Sequence, residues 1–257
     1  MLTKQKLWNI RQLFQKKYRE ASGKFIIEGW KSVDEAVNAG IEIETIVYDE
    51  QKIDSTQLIS TLERSAKEIF PAKAKDIDSI SDTVTSQGII AVLPKFSSPD
   101  KLNSVLQQQT ALIVALDGIN DPGNLGTIIR TCDWFGVDAL VIGKNSVELY
   151  NPKVVRATMG SLFHFPVIDE IDLVSFLKQS RKENFSIYST ELTDSEDVRK
   201  ISFSKKSVLV IGSESHGVSK EISVFADKKI LIPQFGKAES LNVAMACGII
   251  LARITLK

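Results

Sequence analysis

The 257-residue chain is poor in the side chains that build metal centres and disulfide frameworks. It has two cysteines, Cys132 and Cys247, and two histidines, His164 and His216. Both cysteines fall inside apolar helical patterns, so neither a disulfide nor a thiolate metal site is expected, and a reducing cytoplasm fits. Two histidines are too few for a multi-histidine metal site, and His164, between Phe163 and Phe165, reads as a packed side chain. No apolar run approaches the roughly 20 residues a membrane span needs, which argues against a membrane protein. The opening Met1–Leu2–Thr3–Lys4–Gln5–Lys6 lacks the apolar core of a signal peptide. Nor is there a net charge. Lys plus Arg and Asp plus Glu number 32 each, so no global basic field points to nucleic acid.

Three familiar motifs are also missing. Gly123–Asn124–Leu125–Gly126 spaces its glycines three apart, unlike the dinucleotide fingerprint, and nothing matches a P-loop. Ser215 precedes Gly217, but Ser213 stands where a nucleophile elbow needs glycine.

What is present is alternation of strand and helix. Residues 3–20 carry Leu7, Ile10, Leu13, Phe14 and Tyr18 at helical spacing. Strands are expected at Phe25–Ile27, Ile41–Tyr48, Glu68–Phe70 and Gly88–Leu93, and helices at Val33–Ala39, Ser55–Ala66 and Asp76–Thr83. The stretch Pro94–Lys95–Phe96–Ser97–Ser98–Pro99–Asp100 reads as a linker. These signals predict a first domain over 1–95, a linker over 96–107 and a second domain over 108–257. In the second domain strands are expected at 111–116, 139–142, 165–168, 185–189, 207–211 and 229–232. Helices are expected at 124–136, 152–163, 171–182, 218–225 and 240–255. Such alternation implies an α/β fold with a mostly parallel sheet covered on both faces. The last helix is apolar nearly all round, which requires burial in its own core or against a second subunit.

Charge is balanced globally but not locally. Residues 1–24 hold Lys4, Lys6, Arg11, Lys16, Lys17, Arg19 and Lys24 against Glu20 alone. This is either a solvated helix face or an RNA-contacting surface, in which case Lys16, Lys17 and Arg19 are the residues to test.

Three strands of the second domain each run into a loop of small and polar residues, the arrangement with which α/β sheets build ligand sites at their carboxyl edge. In the first loop, Asp121–Pro122–Gly123 is turn chemistry, Asn124 is expected to cap the following helix, and Arg130 falls on the face opposite its apolar stripe. The second is Gly212–Ser213–Glu214–Ser215–His216–Gly217, where small residues allow close backbone approach and one carboxylate can meet a hydroxyl or a cation. In the third, Ser240 is expected to cap the last helix while Asn242 offers a donor and an acceptor. Spacing alone supports a polar small-molecule site of unspecified chemistry.

Taken together, Asn124-x5-Arg130, Gly212–Ser–Glu214-x2-Gly217 and Ile232–Pro233-x2-Gly236-x3-Ser240–Leu241–Asn242–Val243 resemble the three ordered motifs of SpoU (TrmH-like) RNA ribose methyltransferases of the SPOUT superfamily. Asn151–Pro152–Lys153–Val154–Val155–Arg156–Ala157 with Gly160, and Gly23–Lys24–Phe25–Ile26–Ile27–Glu28–Gly29, are similar to stretches of the same proteins. The resemblance implies a SPOUT domain with a trefoil knot, preceded by a ribosomal-protein L30e-like substrate-binding domain. It also implies homodimerisation through the knotted region, S-adenosylmethionine as cofactor, no metal, and a structured RNA substrate, ribosomal ahead of transfer RNA. By motif matching, Arg130, Asn124, Glu214 and Asn242 are the catalytic set. Gly212, Glu214, Gly217, Ile232, Ser240, Leu241 and Asn242 are the cofactor set. Arg130 then either takes the hydroxyl proton or stabilises the developing alkoxide. A non-catalytic RNA-binding or ribosome-assembly role and base methylation are the competing readings. His216 stands where many relatives have small or acidic residues.

Overall fold

The computed structural model describes residues 2–53, 56–83, 85–96 and 99–256. Ser55, at the head of one expected helix, and Ser97 and Ser98 of the expected linker lie outside these residues. The chain forms two compact units. One contains Met1–Phe96 and Tyr150–His164, the other Ser97–Leu149 and Phe165–Lys257.

In chain order the elements begin with α1 (Lys4–Gln12), α2 (Lys16–Ser22), β1 (Lys24–Glu28), α3 (Trp30–Asn38) and β2 (Ile43–Asp49). Then come α4 (Thr56–Ser65), β3 (Ala66–Ala72), α5 (Ala74–Ser79), β4 (Ile89–Pro94) and α6 (Pro99–Leu106). They continue with β5 (Ala111–Asp117), α7 (Pro122–Trp134), β6 (Ala139–Gly143), α8 (Pro152–Thr158) and β7 (Val167–Ile171). The last are α9 (Leu173–Lys182), β8 (Ser186–Thr190), β9 (Glu196–Asp197), β10 (Lys206–Gly212), α10 (Lys220–Ser223), β11 (Lys228–Leu231) and α11 (Val243–Thr255).

The first unit is a mixed four-stranded sheet in the order β1-β4-β2-β3. Ile26, Val47, Ile90 and Val92 of this sheet meet Ile10, Leu13, Ile77 and Ile80 in its core. The expected helix over 3–20 is two helices. The Arg19 guanidinium, 2% exposed, donates from Nη1 to the Leu13 carbonyl at 2.8 Å. That bond satisfies a carbonyl at the end of α1 and closes the bend, so Arg19 is a structural residue and not part of a basic surface. Lys6 pairs with Glu68, Lys24 with Glu44 and Lys16 with Glu20, which leaves the exposed Lys4, Arg11 and Lys17 as cations without a carboxylate partner among the described residues.

Residues 150–164, expected in the second domain, belong by their contacts to the first unit. Phe25 packs against Tyr150 with ring centroids 4.6 Å apart, and Phe96 against Phe163 at 5.9 Å. The Tyr150 hydroxyl accepts from the Phe96 backbone N–H at 3.1 Å. His164 lies at the end of this segment, exposed, its Nε2 within hydrogen-bonding distance of Glu35 Oε2 at 3.2 Å, rather than packed away.

The second unit is a seven-stranded sheet in the order β7-β6-β5-β10-β8-β11-β9, and every pairing in it is parallel. Ile113, Val141, Ile187, Val208 and Val210 form the middle of its core. Within the stretch expected to be a linker, 99–106 is helix α6, and its Leu102, Val105 and Leu106 are buried in that core. Helix α11 packs on α7 and buries Val243, Ala244, Cys247, Ile250 and Leu251, leaving Met245 63% and Ile249 41% exposed. In this chain its apolar surface is therefore only half covered. No helix among the described residues is long and apolar enough to cross a membrane.

Candidate active site

The carboxyl ends of β5, β10 and β11, at Asp117, Gly212 and Leu231, each release the chain into one of the three loops. Asp117 ties the first two together: its Oδ2 accepts from the Ser219 N–H at 2.7 Å. Sequence reasoning passed over this residue because a carboxylate at a strand end has no distinctive spacing.

Helix α7 is capped by Asp121, not by Asn124. The Asp121 Oδ1 accepts from the Asn124 N–H at 2.7 Å, with Pro122 in the first helical turn. Asp followed by Pro is a helix-start signal that identifies the cap from sequence. Relieved of that duty, the Asn124 side chain reaches across the loops. Its Nδ2 donates to Glu214 Oε1, and its Oδ1 accepts from Asn242 Nδ2 at 2.9 Å.

Asn242, not Ser240, caps α11. Its Oδ1 accepts from the Ala244 and Met245 N–H groups at 3.0 and 3.3 Å. Asn242 therefore spends its acceptor on the helix and its donor on Asn124. The result is a chain Glu214–Asn124–Asn242 joining all three loops, in which each amide is oriented by its partners.

The second loop is shaped by close packing. Ser213 and Gly217 bridge, with N–H···O distances of 3.1 and 2.9 Å, and Gly217 takes φ +67°. A Cβ on Gly212 would lie 2.0 Å from the Gly217 carbonyl carbon, so only glycine fits there. His216 is exposed, its Nδ1 2.7 Å from Ser215 Oγ. In the third loop Gln234 Nε2 donates to the Gly236 carbonyl at 3.0 Å and the Ala238 carbonyl at 2.6 Å, folding the loop on itself. Ile232 is half-buried and Ser240 and Leu241 are exposed. Among the described residues their backbone N–H groups have no backbone partner.

Arg130 is not part of the hydrogen-bonded chain. It lies six residues beyond Asn124, about 9 Å along the helix at 1.5 Å per residue. It is exposed and without a hydrogen bond or ion pair among the described residues, on the face of α7 that also exposes Thr127 and Trp134. Beneath that face Cys132 is fully buried, and burial, then the hydrogen bond with Cys247, push its thiol well above the ordinary range.

The arrangement suits a polar small-molecule ligand. Unpaired backbone groups at 232 and 240–241 can read a base or an amino-acid moiety, and a close-packed glycine turn and an oriented carboxylate lie in the neighbouring loop.

Comparison with known proteins gives the family. A model of the SpoU rRNA Methylase family matches residues 111–252, and one described as an MRM3-like substrate binding domain matches residues 4–91. The chain is 33% identical over 247 residues to the 23S rRNA (guanosine(2553)-2'-O)-methyltransferase RlmP of Bacillus subtilis, covering 96% of this chain and 94% of that protein. An AdoMet-bound rRNA methyltransferase from Sinorhizobium meliloti superimposes with TM-score 0.85 at 33% identity, over 98% of this chain and 95% of that one. The AdoMet complex of the SpoU methyltransferase AviRb from Streptomyces viridochromogenes gives TM-score 0.86 at 25% identity, over 98% and 97%.

Proposed function

The chain belongs to the SpoU rRNA Methylase family, and from that premise we propose that it transfers a methyl group from S-adenosylmethionine to a ribose 2'-hydroxyl of structured RNA, ribosomal RNA ahead of transfer RNA. The observation that carries this reading is the Glu214–Asn124–Asn242 chain. It joins three loops distant in sequence at one edge of a parallel sheet.

When bound, S-adenosylmethionine supplies a methyl group on a sulfonium, already a good leaving group. The residues proposed to hold it are Gly212, Gly217, Ile232, Ser240 and Leu241 through their backbones, with Glu214 and Asn242 at the edge nearest Asn124. The protein's task is then chiefly positioning, which is worth up to about 7–11 kcal/mol when reacting groups are held in line. Arginine keeps its proton in proteins. Arg130 is therefore assigned to holding negative charge, on the ribose oxygen as it loses its proton or on the neighbouring phosphate.

Further features of the reading rest on the family and on particular observations. The second unit is proposed to carry a trefoil knot. In support, the chain leaves β11, beyond β8 and β10 in the sheet, and returns to pack α11 on α7. The first unit is proposed as an L30e-like RNA-binding domain, and the protein as a cytoplasmic homodimer. Dimerisation is supported by Trp134, Met245 and Ile249, which are 84%, 63% and 41% exposed on the packed helices α7 and α11.

The test is product analysis. RNA methylated by the protein and digested to nucleosides should yield a 2'-O-methyl nucleoside. A methylated base with an unmodified ribose would transfer the reaction to another chemistry.

A further inference from the structure

The first unit contains a groove of about 350 Å³ that the methyl-transfer site does not use. It is formed by the bend from α1 to α2 over one part of the sheet. Its floor is apolar, with Ile10, Leu13 and Val92. One wall is Trp8, 52% exposed, and Tyr18 meets it edge-on with ring centroids 6.4 Å apart and planes at 73°. A tryptophan left half in water beside an apolar floor has a ring face available for another planar group.

The rim has a different chemistry. Asn9 and Gln12 present amides: Asn9 Oδ1 accepts from Gln5 Nε2 at 3.0 Å, which leaves its Nδ2 to donate, and Gln12 can donate and accept. The Lys17 ammonium lies 4.7 Å from the centre of the Tyr18 ring, and Lys6 and Lys24 stand at the groove's edge. Lys6 and Lys24 pair with Glu68 and Glu44 at half-buried positions and so add polar rather than free positive groups to the rim. Lys4 and Lys17 extend the positive charge along both helices, while Lys16 pairs with Glu20. A flat ring, amide edges and flanking cations together match the face, hydrogen-bonding edge and backbone of one nucleotide in an unstacked strand.

We propose that this groove takes one splayed-out base of a single-stranded RNA segment, stacked on Trp8 and read at its edge by Asn9 and Gln12, with the flanking phosphates on Lys17 and its neighbours. The proposal rests on the reading of the chain as an RNA methyltransferase and gives that substrate a second anchor in the first unit.

The experiment uses the full chain and a short single-stranded RNA carrying the fluorescent base 2-aminopurine at its centre. The wild type is expected to quench the probe on binding, and excess ribosomal RNA to displace it. Trp8→Ala should weaken binding by about 5- to 150-fold, the usual worth of one stacked base, and abolish the quench. Trp8→Phe should keep most of both, and S-adenosylmethionine binding should be unchanged in either variant, showing that they fold. Equal binding and quenching by Trp8→Ala overturns the proposal. So does a wild type that leaves the probe unquenched, or a quenched probe that RNA fails to displace. Methyl transfer with an unquenched probe condemns the groove alone; a quenched probe without methyl transfer condemns the enzymatic reading and leaves the groove standing.

Discussion

Asn242 donates from Nδ2 to Asn124 Oδ1 at 2.9 Å across 118 positions of sequence, while its own Oδ1 caps the last helix. One side chain thus starts α11 and orients the residue that reaches Glu214. The two duties use different atoms and can be separated.

Asn242→Asp keeps the capping oxygen, since aspartate caps as well as asparagine, but loses the amide donor. Its thermal stability should stay near wild type while methyl transfer falls by at least about 10²-fold, the scale on which loss of one oriented hydrogen-bonding group acts. Asn242→Ala should lose both, with about 1 kcal/mol of stability gone as well. Wild-type activity in Asn242→Asp would remove the Asn124–Asn242 bond from the account.

Arg130 is exposed and has no partner among the described residues. Arg130→Ala should therefore leave the unfolding midpoint and cofactor affinity unchanged while reducing kcat by about 10²-fold or more. Arg130→Lys keeps the charge but not the planar fork, and should recover part of the rate without moving the pH profile. A shifted pH profile in Arg130→Lys would instead make the arginine the base.

Dimerisation should depend on the uncovered side of α11. Light scattering is expected to give about 57 kDa for the wild type, twice the 28.5 kDa chain. Met245→Asp and Ile249→Asp together should give the single-chain mass with far-UV circular dichroism preserved. A wild type of single-chain mass, or a double variant that stays paired, removes this face as the interface.

Glu191 joins β8, α10 and β11. Its Oε1 accepts from Ser189 Oγ and Ser223 Oγ, both at 2.7 Å, and its Oε2 lies 2.8 Å from Lys229 Nζ. Burial alone would raise its pKa, but the hydrogen bonds from Lys229, Ser189 and Ser223 outweigh burial and hold the carboxyl below its ordinary range. A carboxyl depressed in the folded state stabilises above its unfolded pKa, about 4.3, and loses that contribution as pH falls through the folded value. Glu191→Gln should cost about 2 kcal/mol at neutral pH, and the gap to wild type should narrow as the pH drops below about 4. Chemical denaturation across that range checks it; a gap independent of pH would contradict the assignment.

Much of the second unit was legible because a parallel sheet buries both faces and writes its strands as apolar runs. Ala111–Leu116 and Val208–Ile211 are such runs, and the loops after them carry the residues that meet in the site. What stayed hidden was decided by contacts between residues far apart. β9, the polar pair Glu196–Asp197, is a strand only because β11 lies beside it. The bend near Leu13 depends on a buried Arg19 that reads as surface charge. Helix α6 has Leu102, Val105 and Leu106 at helical spacing, but its leading proline reads equally as linker. The place of 150–164 beside Phe25 and Phe96 is set by aromatic contacts that local pattern does not encode. Both cap assignments failed for one reason. Asn124 and Ser240 suit capping by type, yet the neighbours Asp121 and Asn242 hold the capping positions.

The most direct test of the whole account is methyl transfer from labelled S-adenosylmethionine to separated ribosomal and transfer RNA, prepared from cells lacking this protein, with wild type beside Arg130→Ala. The account predicts label in the ribosomal fraction with the wild type and a loss of at least about 10²-fold with the variant. Equal labelling by both proteins, or a wild type that neither binds the cofactor nor labels any RNA, would contradict it.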